Sequence, residues 1–271
     1  MEKARDYILK IFKNLMKPEM RILPGQLAFF IVMTIIPILA LVVTISAALS
    51  ISVDTIRIAI SESIPATLAD ILNNIIVGNG ISFNIVVFYF SALLLASNGT
   101  YSMINVSNEI YKIEPKNALS RRAKAIIMIF IFVGLIMFLL AVPVFGTTIS
   151  EIIVQATGSS TIVVIINRLL SILKYPLMLI ILFFIIKLVY VIAPDADIPQ
   201  NTTNQGALFT TVGWVLSTEV FSFYLEKFAT YDQFYGSISN ILVLLLWIYL
   251  LSYIFVLGMV INASVFKEEV L

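Results

Sequence analysis

Residues Gly206 to Leu225 read GALFTTVGWVLSTEVFSFYL, a stretch whose single charged side chain is Glu219. At about 1.5 Å of rise per residue, this stretch is long enough as a helix to cross the roughly 30 Å hydrocarbon core of a bilayer. No Lys or Arg lies within seven positions of Glu219 on either side. A charge at membrane depth costs at least about 2.5 kcal/mol, which makes it a functional-site candidate by default. On a helical wheel Gly206, Thr210, Gly213 and Ser217 share one face, a small-residue stripe that lets another helix approach closely. Thr211, Thr218, Glu219, Ser222 and Glu226 share a face roughly opposite. Such a helix suits a wall between a packed interface and a hydrated cavity. Glu219 has a second reading as a structural carboxylate, either bonded to a neighbouring helix or snorkelling toward the end that carries Glu226.

The rest of the chain repeats this apolar character. Of its 271 residues 60% are hydrophobic and only 12% are charged, against roughly 25% charged in soluble domains. The expected fold class is all-α, a polytopic membrane protein. Seventeen basic and 16 acidic residues nearly cancel, to a net charge of +1, so nucleic acid is not an expected partner. There is no Cys and no His, which removes disulfides, thiolate chemistry, the usual zinc and copper ligands and the usual general base near neutral pH. No enzymatic activity, cofactor or metal is expected.

Six spans follow from charge-free apolar runs, at about 27–50, 81–103, 125–145, 174–193, 206–226 and 241–266. Ahead of them, residues 1–26 place Ala4, Tyr7, Ile8, Ile11, Phe12, Leu15 and Met16 on one helical face among interleaved lysines, before Pro18 breaks the run. This segment reads either as an interfacial helix or as one packed on the bundle. Residues 52–78 read as short amphipathic helices on the outer face, divided by Pro65. Thr147 to Thr161 reads as a polar connection. Asp195 and Asp197, after Pro194, suit cation binding or capping of the fifth span, and are read first as solvated loop residues. With the N-terminus inside, 13 of the 17 Lys and Arg fall on the cytoplasmic side, so the positive-inside rule places both termini there.

Several patches together carry a resemblance. Leu23-Pro24-Gly25-Gln26-Leu27-Ala28-Phe29-Phe30 with Pro37, Ser97-x-Gly99 followed by Asn108-x-x-Tyr111, Pro194-Asp195 with Ile198-Pro199, Gly206-Ala207-Leu208, Tyr235-Gly236-Ser237 leading into Leu246-Trp247-Ile248-Tyr249, and Gly258 to Ala263 occur in one order along the chain. In this the chain resembles the YihY/BrkB family of bacterial inner-membrane proteins. The resemblance implies a multi-pass plasma-membrane protein linked to the envelope, with transport or lipid handling as the implied activity. An older label for such proteins, ribonuclease BN, sits badly with a chain that offers no cluster of metal ligands. Val260 stands where the family's sixth span carries an acidic residue.

The expected function is a transporter or lipid-handling protein with a polar cavity walled by the second, fifth and sixth spans. Its candidate lining is Ser97, Asn98 and Tyr101 in the second span, Thr211, Thr218, Glu219 and Ser222 in the fifth, Tyr235 in the turn beyond it, and Asn262 in the sixth. Membrane lipids are the expected partners and a lipid-like molecule the expected substrate. Polar residues in spans also serve as helix-to-helix glue, and a scaffold for envelope assembly is the alternative function.

Overall fold

The computed structural model describes residues 19–48, 52–63, 69–70, 85–157, 160–227 and 239–270. Among them are seven α-helices and no strand: α1 Glu19–Ala48, α2 Val53–Ser63, α3 Ile85–Tyr111, α4 Ala118–Thr157, α5 Ser160–Ile192, α6 Asn204–Lys227 and α7 Ser239–Val270. Within the described residues, Met20–Val43, Asn204–Lys227 and Ile241–Phe266 are long and apolar enough to cross a membrane, and α5 contributes a shorter apolar stretch, Pro176–Ile192.

The helices are longer than the apolar runs inside them. Residues 19–26, expected with the N-terminal amphipathic segment rather than with the first span, belong to α1, which continues through Pro24 and Pro37. Met20 and Leu23 lie on the same face as Leu27, and all three are buried in the main core, so packing carries the helix back to Glu19. Residues 1–18 lie outside the described set. The polar connection expected at Thr147 to Thr161 is mostly helical, since α4 runs to Thr157 and α5 begins at Ser160. A helix satisfies its own backbone groups, so Thr, Ser and Glu beyond the apolar run need not end it. Of the expected outer segment, Val53–Ser63 is helical and Ile56 is buried in a cluster with Val42, Ala96, Ile129 and Val133.

α1 lies at the centre, packed against both α3 and α7. The main core joins Met20, Leu23 and Leu27 of α1 to Ile104 and Val106 of α3, Met128 of α4, Ile186 and Tyr190 of α5, Ala207 of α6 and Phe255 to Leu257 of α7. α1 packs between α3 and α7, α4 packs on α3, and α6 bridges α5 and α7. The outer surface is rich in large apolar side chains, including Phe29, Phe90, Leu216, Val220 and Phe223. Several polar side chains are buried: Ser97, Thr100, Asn108, Thr210 and Asn262.

Two contacts fix the helix spacing. The expected small-residue stripe of α6 faces α7: a Cβ at Gly206 would overlap the Gly258 carbonyl oxygen and the Asn262 side chain, and one at Gly258 would overlap Thr210 and Tyr190. Between α1 and α3, a Cβ at Gly99 would lie 2.9 Å from Thr34 Oγ1.

Candidate functional site

The second half of α3 places Ser97, Tyr101, Asn105 and Asn108 at intervals of four, four and three residues, so they line one face. The helix ends after Tyr111 in a left-handed residue, Lys112 with φ of 58°. The Ile113 amide returns to the Asn108 carbonyl at 2.9 Å, a Schellman closure with lysine where glycine is usual. Asn117 then caps α4, its Oδ1 accepting from the Ser120 amide at 2.7 Å. This short hairpin lays Arg121, Arg122 and Lys124 along the polar face of α3.

Arg122 Nη1 donates to Ser97 Oγ at 2.8 Å and to Asn98 Oδ1 at 2.9 Å. Arg121 donates through Nη1 to Asn105 Oδ1 and through Nε to the Lys116 carbonyl. Both guanidinium groups lie over the ring of Tyr101, at 5.3 Å for Arg121 and 4.9 Å for Arg122, inside the range of a cation–π contact. Among the described residues neither arginine has a carboxylate partner.

Next to this group is a buried ion pair. Asp195, in the α5–α6 connection, has a side chain only 1% exposed. Its Oδ2 accepts from Asn108 Nδ2 at 2.7 Å and from the Lys116 amide at 3.2 Å. Its own amide donates to Asn108 Oδ1 at 2.8 Å. Lys124 Nζ donates to Asp195 Oδ1 at 3.2 Å and to the carbonyls of Ala193 and Pro194 at 3.0 and 2.6 Å, so all three ammonium protons are used. Burial pushes the Asp195 pKa up, but hydrogen bonds from Asn108, Lys124 and Lys116 and the charge of Lys124 outweigh it and hold the carboxyl below its ordinary value. Burial lowers the Lys124 pKa, and Asp195 only partly offsets this. The sequence expectation of a solvated Asp195 is therefore corrected, while Asp197 is exposed as expected. The bonds from Asn108 and Lys124 offset the cost of burying the carboxylate, and linear sequence does not show partners 71 and 87 residues away.

The residues singled out from sequence fall into three places. Ser97, Asn98 and Tyr101 join α4 in the arginine group. Asn262 Oδ1 accepts from the Gly206 amide at 2.7 Å, and its Nδ2 has no partner among the described residues. Close by, the Tyr190 hydroxyl donates to the Phe255 carbonyl at 2.8 Å and lies 2.6 Å from Thr210 Oγ1. Thr211 bonds back to the Ala207 carbonyl of its own helix, and Thr218 accepts from Trp247 Nε1 at 3.3 Å. Ser222 is half-buried. Glu219 is exposed on α6 beside Leu216, Val220 and Phe223. Tyr235 lies outside the described residues. Sequence reading missed Asn105, Arg121, Arg122 and Lys124; the four-residue recurrence of polar side chains along α3, facing a basic run, was the available signal.

A further feature lies between α1 and α7. Gly25, Ala28 and Phe29 on one side and Leu242, Leu245, Leu246 and Tyr249 on the other line a groove of about 450 Å³. All its walls but the Tyr249 hydroxyl are hydrocarbon or backbone, and both helices carry candidate membrane-spanning stretches.

An all-helical bundle with an apolar exterior and polar side chains inside defines a multi-pass membrane protein. Residues 11–270 match the family described as Virulence factor BrkB, and the chain belongs to that family. YfkH of Bacillus subtilis, whose name describes it as ribonuclease-like, is 30% identical over 271 aligned residues, covering 97% of this chain and 96% of YfkH. Shorter matches link it to bacterial proteins named UPF0761 membrane protein. One from Nitrosospira multiformis is 35% identical over 75 residues, 28% of this chain and 18% of the relative. Another, from Idiomarina loihiensis, is 32% identical over 82 residues, 30% and 29% of the two chains. No solved structure matches the chain. The protein is thus a multi-pass bacterial membrane protein of the BrkB family.

Proposed function

We propose that this protein is a lipid-handling transporter of the bacterial plasma membrane, with no catalytic step of its own. The observation that carries this reading is the groove between α1 and α7, whose lining is almost entirely apolar. A hydrated solute path needs convergent polar groups, whereas an acyl chain needs a carbon-lined slot. The groove's volume of about 450 Å³ falls within the roughly 300–1,000 Å³ of small-molecule sites. Taken with the cytoplasmic termini expected from the basic residues, this reading puts the arginine group of α3 and α4 at the inner membrane surface, apart from the groove, where the polar ends of lipids sit. The polar contacts are then those of Ser97, Asn98 and Tyr101, while Thr218 and Asn262 hold α6 against α7.

The test is leaflet exchange of a fluorescent phospholipid in vesicles containing the purified protein. Exchange is expected to exceed that of protein-free vesicles, and Leu245→Trp, which fills the groove, is expected to slow it several-fold. Exchange no faster than in empty vesicles would defeat the reading and favour a scaffold.

A further inference from the structure

We infer that Arg121 and Arg122, gathered on Tyr101, form a binding site for a phosphate group at the membrane surface. The inference deepens the lipid reading by naming the chemistry of the polar end, and rests on that reading only for the source of the phosphate.

Three observations carry it. First, the two guanidinium carbons lie 5.3 and 4.9 Å from one ring centroid, which keeps the two charges within about 10 Å of each other. That is no more than a Debye length at moderate salt, so their repulsion is poorly screened. Second, both stand near the start of α4, a helix of 40 residues, where the macrodipole favours anions and disfavours cations. Lys124 in the same run is neutralised by Asp195, but among the described residues nothing neutralises Arg121 or Arg122. Third, the two side chains are half-buried and held by Tyr101, Asn105, Ser97 and Asn98, and all three side-chain partners are neutral acceptors. Each guanidinium carries five N–H donors, and Nη2 of both, with Nε of Arg122, is uncommitted among the described residues.

A preorganised pair of cations with free donors, placed against the helix dipole and lacking an acid, is completed by an anion. Arginine forks match phosphate oxygens in pairs, which lysine cannot do. An oxygen acid with several acceptors fits better than a halide, and a phosphate ester or inorganic phosphate supplies the same oxygens.

Native mass spectrometry of the purified protein tests the site, with phosphatidylglycerol and phosphatidylcholine as lipid probes and inorganic phosphate as the soluble one. Wild-type protein is expected to retain phosphatidylglycerol about tenfold more than Arg121→Gln/Arg122→Gln does, from the loss of charge-assisted bonds. Arg121→Lys/Arg122→Lys is expected to fall between them, since charge remains and the fork is lost. Retention of phosphatidylglycerol that inorganic phosphate does not displace identifies a lipid source. A phosphate-dependent rise in melting temperature without lipid retention identifies a free one and still supports the site. Equal retention by wild type and the glutamine variant eluting as the same folded species would overturn it. So would a wild type that neither retains phosphatidylglycerol nor is stabilised by phosphate, whatever the variants do. Failed leaflet exchange with intact phosphate binding removes the transport reading and leaves the site.

Discussion

The α3–α4 end of the bundle and the α6–α7 seam both bring helices together through polar groups, but by opposite means. At the first, Asn108, Lys124 and Asp195 join three segments through charge and hydrogen bonds. At the second, Gly206 and Gly258 remove side chains altogether, so that backbone meets backbone, and Asn262 and Tyr190 contribute neutral hydrogen bonds. The difference separates what must be chemically balanced from what must only be small. The charged junction depends on the partner's ionisation, whereas the glycine seam depends on shape.

The largest expected effect comes from unbalancing the charged junction. Asp195→Leu or Lys124→Met alone leaves a buried partner unpaired and is expected to cost about 3–5 kcal/mol. The double variant is expected to recover most of that loss, as buried ion pairs replaced by apolar groups often do. Denaturant-induced unfolding in micelles, run as a double-mutant cycle, measures both. If the double variant is as unstable as the sum of the singles, the two residues do not act as a pair.

Next comes the seam. Gly206→Ala is expected to cost about 1–3 kcal/mol by overpacking, because the opposing atom is the Gly258 carbonyl and cannot swing aside. Gly134→Ala in α4 meets nothing within 4 Å and is expected to be neutral or to stabilise by up to about 1 kcal/mol. Thermal unfolding of the two alanine variants side by side checks the contrast. Tyr190→Phe is expected to cost about 1 kcal/mol or somewhat more through its lost bond to the Phe255 carbonyl, read from the same melts.

The smallest effect separates the regions by pH. The folded-state pKa of Asp195 is depressed, so its stabilising contribution is complete above the ordinary carboxylate range and is lost as pH falls through the lower folded value. Lys124 is shifted down as well, so its folded form is penalised while charged and relieved only on the alkaline side. Wild-type protein is expected to lose stability in acid more steeply than Asp195→Asn, while Tyr190→Phe keeps the wild-type slope. Parallel acid limbs for wild type and Asp195→Asn would show that the junction does not titrate.

Much of this architecture was readable from sequence. The small-residue stripe Gly206, Thr210, Gly213 and Ser217 indicates a tight helix contact by size alone, and α7 meets it. The polar turn of the second span is likewise evident from Ser97 to Tyr101. What it meets is not, because Arg122 lies 24 and 25 residues from Asn98 and Ser97 and reaches them only once the hairpin folds. Asp195 misleads for the same reason: a loop acid after Pro194 looks solvated, and only the 87-residue contact to Asn108 buries it. Glu219 shows the reverse. Its position on the wheel suggests a cavity wall; Glu219 itself is exposed, while on the same face Thr211 is buried and Thr218 meets Trp247 of α7. Helix ends were obscured because hydropathy marks where lipid stops, and α4 and α5 continue as helices past that point.

The ion pair also has a consequence in time. Seventy-one positions separate Lys124 from Asp195, and at roughly 5–20 residues per second of synthesis that is about 4–14 s. During this interval Asn108 and Lys124 have been made and their acid has not. A nascent chain stalled between the two would carry an unpaired ammonium at a junction built to enclose it.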